Sequence, residues 1–398
     1  MKTLFVHSSR FTRTPDGKVF SSGQFPYSRW ARYLKYFDEI VVICRMSDCA
    51  SAPAKWDLSS GPGVSFAGTP DDHDKPLMQM QSRPSREVVR REMDNCDAVI
   101  VRQSNLGWLA AREAQYRGIP WAVEVVGDAW NAYWHYGGIV GKLYAPYAFM
   151  QSRRWIGRAC FAIYVTSKYL QERYPCTGVR GSASDVEIRP VPNSVMEGRL
   201  VRCHKGGLYS AQSPMIGMVG SLFNRHKGLY VALKAMRRLL DHGTPAKLNV
   251  LGDGRLDYWR SQAQRLGVGD VVSFQGGLPS GEPVMKWLDR MDIYIQPSLT
   301  EGLPRALIEA MSRGLPCLGS ACGGIPELLL PECLHRPGDD KVLAHQLMRA
   351  VEDKAWRIQQ SHTNWEKAQV YHRDQVEVQR DAFWSLFVDG IRKGRCCS

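Results

Sequence analysis

The chain has 398 residues, 44% of them apolar, and a formal net charge of +13. That size and composition imply two folded domains plus some extra helix and exclude a disordered chain. The positive charge is spread over both halves, which argues against a dedicated nucleic-acid arm; it leaves anionic small substrates, a membrane surface or plain solubility.

No apolar run approaches the roughly 20 residues that cross a bilayer. Met1–His7 reads as a first strand rather than a leader. The eleven cysteines are scattered, with no Cys-x-x-Cys and no zinc spacing, so free thiols in a reducing cytosol are expected. A C-terminal lipidation box would need cysteine where Arg395 stands, so Cys396-Cys397 reads as a loose tail.

In chain order, a strand at Leu4–His7, an amphipathic run from Gln24 to Phe37 and a strand at Ile40–Cys44 begin an α/β sheet. Gly23 precedes that first helix. A glycine there lets backbone approach a phosphate across a cleft, and it reads equally as a turn glycine. Residues 51 to 75, rich in Pro, Gly, Asp and Ser, read as irregular connection. Asp97–Val101 reads as a strand, Leu106–Tyr116 as a helix and Trp121–Val125 as another strand. The last runs into Gly127-Asp128-Ala129-Trp130. Ligands of α/β sheets bind beyond the carboxyl ends of strands, so Asp128 is a candidate site residue; a helix N-cap is its other reading.

The run from Tyr133 to Arg173 mixes aromatic and basic residues. That mixture suits a peripheral contact with anionic membrane, or a long helix with aromatics inward and basics outward. The apolar residues do not fall on one clean stripe, which favours the second. Phe161–Val165 reads as a strand and Ser167 as the cap of a short helix to Tyr174. A linker is expected over 197–214.

The second half is more regular. Strands are expected at Met215–Val219, Leu248–Leu251, Val271–Phe274, Ile293–Gln296 and Cys317–Leu318. Helices are expected at Leu229–Leu240, Leu256–Leu266, Glu282–Asp289 and Pro304–Arg313. After Lys341 the pattern is helical with a break near Ser361.

The chemistry concentrates in 298–327, SLTEGLPRALIEAMSRGLPCLGSACGGIPE. A buried strand, a turn and a helix bring Glu301 to the loop and Glu309 about a turn and a half into the helix. Between them the helix N-terminus offers free N–H groups suited to phosphate. A ligand with hydroxyls at both ends and phosphates between them, a nucleotide-sugar, matches; two solvated acids on a surface helix is the competing reading.

Glu301 and Glu309, the following Ala310-Met311 and Gly314-Leu315-Pro316, and Gly323-Gly324-Ile325-Pro326-Glu327 together resemble the retaining GT-B glycosyltransferases, family four. The resemblance extends upstream through Val219-Gly220-Ser221, His226-Lys227-Gly228, Leu251-Gly252-Asp253-Gly254, Phe274-Gln275-Gly276 and Pro297-Ser298. It is weaker in the first half.

The resemblance implies an α/β GT-B fold, with two Rossmann-like domains facing across a cleft. It divides the chain into an acceptor domain (1–196), a linker (197–214), a nucleotide-sugar domain (215–372) and a helix with tail that crosses back (373–398). Lys227 would neutralise the donor diphosphate. The family's second cation, normally directly after Gly220, is replaced by Ser221, so Arg225 is the nearest substitute. Gly252 allows close approach, and the Phe274–Leu278 segment, Leu278 included, would line the nucleobase. Glu301 would orient the donor sugar and Glu309 hold ribose hydroxyls, with Gly302 and Leu303 adding backbone donors.

Asp128, or His135 further on, would hold an acceptor hydroxyl where many relatives have histidine. Asp72-His73-Asp74 has the spacing of the metal-binding pair in the other large glycosyltransferase fold. It follows no strand, so no metal and no cofactor are expected. The implied partners are a nucleotide-sugar donor and a glycan or lipid-linked acceptor, with the chain cytoplasmic or peripheral on the inner membrane face. Alternatives are a GT-B nucleotide-sugar epimerase and a non-catalytic nucleotide-sugar-binding partner.

Overall fold

The computed structural model describes residues 1–22, 25–54, 56–70, 82–136, 138–204 and 213–394. Gly23, the Asp72–Asp74 pair and Cys396-Cys397 lie outside these residues, as does the side chain of His135.

The first domain holds nine strands: β1 (Lys2–Arg13), β2 (Val19–Ser21), β3 (Glu39–Asp48), β4 (Asp57–Leu58), β5 (Val64–Pro70), β6 (Ala98–Arg102), β7 (Trp121–Val125), β8 (Phe161–Tyr164) and β9 (Val179–Ser182). Its helices are α1 (Tyr27–Tyr33), α2 (Arg83–Met93), α3 (Asn105–Arg117), α4 (Ala129–Tyr136), α5 (Gly138–Arg158) and α6 (Tyr169–Arg173); α7 (Asn193–His204) follows and packs on the second domain. The parallel sheet runs β5-β3-β1-β6-β7-β8-β9, and antiparallel β2 and β4 extend it beside the second half of β1. Ala98, Val99, Ile100 and Val101 of β6 are all fully buried, as a strand covered by helices on both faces must be.

The second domain has an all-parallel six-stranded sheet: β10 (Met215–Val219), β11 (Lys247–Leu251), β12 (Val272–Gly276), β13 (Ile293–Gln296), β14 (Cys317–Ser320) and β15 (Leu334–His335). Its order is β12-β11-β10-β13-β14-β15. The remaining helices are α8 (Leu229–Asp241), α9 (Leu256–Arg265), α10 (Glu282–Asp289), α11 (Arg305–Ser312), α12 (Ile325–Leu328), α13 (Asp340–Glu352), α14 (Lys354–Ala368) and α15 (Arg373–Arg392).

Helix α15 packs on the first domain, not the second. Phe383, Trp384 and Phe387 enter the core that holds Phe5, Tyr33 and Phe37. The Trp384 ring lies 5.4 Å from that of Tyr33, and Phe387 lies 5.2 Å from Phe161. Arg380 is fixed beside them by Glu187 and the Ser184 carbonyl.

Besides β9 and the short helix α6, whose cap residue is Lys168 and not Ser167, three segments differ from the expectations. The irregular stretch after residue 51 contains β4 and β5. Val64-Ser65-Phe66-Ala67 is too short between flanking Gly and Pro to be legible as a strand, yet it pairs with β3 along its length. The start of the expected linker is helix α7, because Arg199 is buried with its guanidinium donating to the Met291 and Arg313 carbonyls of the second domain. The helical break falls at Asp353, whose carboxylate caps α14 by accepting the Trp356 N–H; Ser361 is buried mid-helix.

Candidate active site

Strand β13 delivers its residues to the cleft through a chain of side-chain hydrogen bonds. The Tyr294 hydroxyl is fully buried and well above its ordinary pKa, so it stays protonated and donates to Gln296 Oε1 at 2.7 Å. That fixes the Gln296 amide, whose Nε2 must face the other way. It donates to Ser298 Oγ at 2.8 Å and to Glu301 Oε1 at 3.1 Å. Ser298 Oγ and Lys227 Nζ add donations to the same Glu301 oxygen at 2.7 and 2.6 Å. The Glu301 side chain is 8% exposed. Its Oε1 thus takes three donors, and no described residue bonds its Oε2.

Lys227 reaches Glu301 from a tight turn after β10. A Cβ on Gly220 would lie 2.9 Å from Lys227 Cγ, so only glycine lets the lysine stem pass. Gly228 has φ +75°, and a side chain there would collide with the Pro297 carbonyl. Gly252, at the end of β11, packs against the Gly220 carbonyl in the same way.

Glu309 lies on α11, which starts at Arg305 with Pro304 as its cap residue. Burial pushes its carboxyl up to about 7, partly offset by Arg305. No described residue donates a hydrogen bond to it. Glu301 and Glu309 both act electrostatically on the Tyr294 hydroxyl, so one strand end serves both acids.

Other expected residues sit elsewhere. Arg225 is exposed and turned away from Glu301: it donates to the Tyr258 hydroxyl at 2.6 Å, with its guanidinium 5.8 Å from that ring. It lines a separate groove with Tyr230, Lys234 and Asp340. The structure therefore does not join Arg225 to the Lys227–Glu301 pair, because the Tyr258 ring holds it. Leu278 is exposed in the loop beyond β12. Gly302 lies against the Val126 carbonyl of the first domain, and the Leu303 side chain packs between the two domain cores.

Asp128 has its second reading. Its carbonyl accepts the Ala132 N–H and its Oδ1 the Trp130 N–H at 3.0 Å, so it is the N-cap of α4. The Tyr174 hydroxyl donates to Oδ1 at 2.5 Å and the Tyr169 hydroxyl to Oδ2 at 2.8 Å. Arg173 Nε pairs with Oδ2 at 2.6 Å and Asn131 Nδ2 donates to it at 2.9 Å. With its side chain fully buried and both oxygens occupied, this carboxylate has no acceptor lone pair to spare for a ligand hydroxyl.

Between the domains lies a cavity of about 310 Å³. Thr300, Glu301 and Gly302 form one wall; Gln103, Asn105, Trp108, Tyr133 and Ser152 line the other. The sequence reading missed Gln103, although the strand-end rule that selected Asp128 after β7 points equally to Gln103 after β6. It also gave no role to Glu327, whose carboxylate accepts three backbone N–H groups of the first domain. Among the described residues no group of three or more His, Cys, Asp or Glu could hold a metal ion.

Residues 213–353 match the family model described as glycosyl transferases group 1. Over 386 residues the chain is 30% identical to protein CapJ of Staphylococcus aureus, covering 96% of this chain and 94% of that one. A 139-residue stretch is 37% identical to the amylovoran biosynthesis glycosyltransferase AmsK of Erwinia amylovora, 32% of this chain and 34% of AmsK. Among solved structures, Anabaena HepE in complex with UDP and glucose superposes with a TM-score of 0.66 at 15% identity, covering 97% of this chain and 100% of that one. The lysine and glutamate joined at the mouth of the second domain, the two facing α/β sheets and these likenesses agree: the chain belongs to the group 1 glycosyltransferases and is a glycosyltransferase of the GT-B fold.

Proposed function

We propose that the chain moves a sugar from a nucleotide-sugar to a hydroxyl of a growing surface glycan, with retention of anomeric configuration. The observation that carries this is the Lys227–Glu301 contact at 2.6 Å. It supplies a cation for the departing diphosphate and, on the carboxylate it holds, an oxygen that no described residue bonds for a donor-sugar hydroxyl. Glu309 takes the ribose hydroxyls, since it is half-buried with no hydrogen bond from a described residue. The bond from the acceptor oxygen to the anomeric carbon forms as the bond from that carbon to the diphosphate breaks. The departing phosphate oxygen takes the acceptor proton on the same face. The protein's part is positioning and charge stabilisation. Arg225 reaches the diphosphate only if it leaves Tyr258.

HepE, a structural neighbour, binds UDP and glucose, and AmsK is named for amylovoran biosynthesis, which supports a nucleotide-sugar donor and a polysaccharide product. A lipid-linked acceptor at the inner membrane face is favoured by one surface. Ile139, Val140, Leu143 and Met150 of α5 are each at least 69% exposed. Lys142, Arg153 and Arg154 share that helix. No helix among the described residues is long and apolar enough to cross a membrane, so contact would be peripheral.

The test is a panel of nucleotide-sugars with extracted lipid-linked glycans, products read by mass spectrometry and anomeric configuration by NMR, with and without chelator. Glycan growth with retained configuration, unaffected by chelator, is expected. Donor epimerisation without acceptor would favour an epimerase, and nucleotide binding without turnover a non-catalytic partner. Metal-reversible loss in chelator would return a role to Asp72 and Asp74.

A further inference from the structure

Gln103 follows the carboxyl end of β6, and its backbone N–H donates to the Glu124 carbonyl at 3.1 Å, which fixes the residue against the sheet. Its side chain lines the interdomain cavity. Both amide atoms, Oε1 and Nε2, are buried from solvent and neither has a hydrogen-bond partner among the described residues. An amide with both ends unsatisfied is costly, and natural proteins keep few such groups.

The cavity around it has a definite chemistry. Trp108, 2% exposed, offers an apolar wall, and Ala132 and Ala148 leave room. Among the described residues no lysine, arginine or histidine lines the cavity, whereas two carboxylates, Asp128 and Glu301, do. Asp128 is fully occupied by protein donors, so it does not compete for a ligand. Each carboxylate is already paired with a cation, Asp128 with Arg173 and Glu301 with Lys227, so an anionic ring buried here would lose its water with no unpaired described cation to meet it. A hydroxyl both donates and accepts, so once the Gln103 side chain turns its amide into the cavity, one pair of neighbouring sugar hydroxyls satisfies both ends of it.

We infer that Gln103 selects the acceptor: its amide binds a hydroxyl pair of a neutral sugar ring, and the cavity excludes uronic-acid and phosphorylated rings. This rests on the glycosyl-transfer reading, with Gln103 a positioning and specificity residue. Acceptor hydroxyls that pair its orphaned polar atoms link occupancy to the correct ring.

The test uses the full chain and ligand-observed NMR with methyl glucoside, galactoside and mannoside against the matching methyl hexuronides. At least one neutral glycoside is expected to bind, and its uronide at least tenfold more weakly. Gln103→Leu is expected to lose at least tenfold in glycoside affinity. Its thermal midpoint is expected to stay or rise, because the change removes unpartnered polar atoms. A merely structural glutamine would lower the midpoint instead. Gln103→Arg, which supplies the missing cation, is expected to reverse the preference towards the uronide. Equal glycoside binding by the Leu variant and the parent would overturn the assignment. So would uronides binding as well as neutral rings, or no neutral glycoside binding the parent at millimolar concentration. Affinity for UDP and other nucleoside diphosphates is measured alongside. Its absence would count against the glycosyl-transfer reading, while the glycoside results judge Gln103 separately.

Discussion

The Glu327 carboxylate of the second domain accepts the Tyr169 backbone N–H of the first at 2.6 Å. The Ser167 and Lys168 N–H groups donate to the same carboxylate at 2.7 and 3.0 Å. These are the unpaired donors at the start of α6, so an acid from one domain caps a helix of the other. The loop before Glu327 also touches the site: the Gly324 N–H donates to the Gly302 carbonyl at 2.7 Å, one residue from Glu301. Closure of the cleft and placement of Glu301 are therefore mechanically joined.

Removing that cap frees three N–H groups to water and loosens the joint. Glu327→Ala is expected to lower kcat/KM for the donor at least tenfold. The radius of gyration in solution scattering would rise, while the circular dichroism of each domain stays intact. The conservative Glu327→Gln keeps one acceptor oxygen and is expected to fall between. Identical scattering and kinetics for parent and Ala variant would show that the domains close without this contact.

The parallel sheets were legible because their strands are buried on both faces and read as unbroken apolar runs: Val99-Ile100-Val101 and Ile293-Tyr294-Ile295 need no partner to be recognised. β9, Val179-Arg180-Gly181-Ser182, was not legible, since it is an edge strand with two exposed residues. Within the site, the acids and Lys227 stand out by spacing and by turn glycines, whose cost elsewhere in a strand end makes them informative. Arg225 illustrates the limit. Sequence puts it two residues from Lys227, but a hydrogen bond and a ring face 33 residues away decide where it points. Gln103 shows the complementary limit: nothing in its neighbours says that its amide lacks partners among the described residues, because that depends on packing from α3, α4 and α5. Asp128 was ambiguous for the same reason: the Trp130 N–H makes it a cap, and the tyrosines at 169 and 174 occupy the rest of its carboxylate.

The membrane reading separates into an apolar and a charged part. The exposed residues of α5 at 139, 140, 143 and 150 supply apolar area, and Arg153 and Arg154 supply charge. Each basic residue near an anionic surface contributes about 1 kcal/mol, so changing both arginines to Ser is expected to weaken binding to phosphatidylserine vesicles about thirtyfold at low salt. The difference should shrink as salt rises. Changing Ile139, Val140 and Leu143 to Ser is expected to weaken binding at every salt concentration, because apolar burial is not screened. Equal partitioning of both variants and the parent, measured by vesicle sedimentation, would remove the membrane from the account.

Glu309 carries a pH signature that tests its role. In the free protein burial raises the Glu309 carboxyl to about 7, so near neutrality a large fraction is protonated. A carboxylate accepting two ribose hydroxyls favours the ionised form, so nucleotide binding lowers that pKa and expels a proton. The sign follows: affinity for a nucleoside diphosphate is weakest below about 7, strengthens as pH rises through it, and levels off above. The diphosphate titrates nearby as well, so the informative quantity is the difference between parent and Glu309→Gln. The Gln variant is expected to lose this pH-dependent component and, above pH 8, to bind the diphosphate about tenfold to a hundredfold more weakly, the worth of one charged hydrogen bond. It is also expected to melt at a higher temperature above pH 7, because it removes a buried carboxylate that no described residue partners; that gain disappears as the parent's acid protonates. Glu301→Gln acts on the other end of the ligand. Diphosphate affinity is expected to stay within a factor of two or three, roughly the spread of a neutral surface change. Turnover is expected to fall, because the sugar is no longer held in line with the acceptor. Calorimetry with the diphosphate in two buffers of different ionisation enthalpy counts the protons directly. Equal loss of diphosphate binding in both variants would merge the two acids into one role, and no proton release at pH 7 would take ribose away from Glu309.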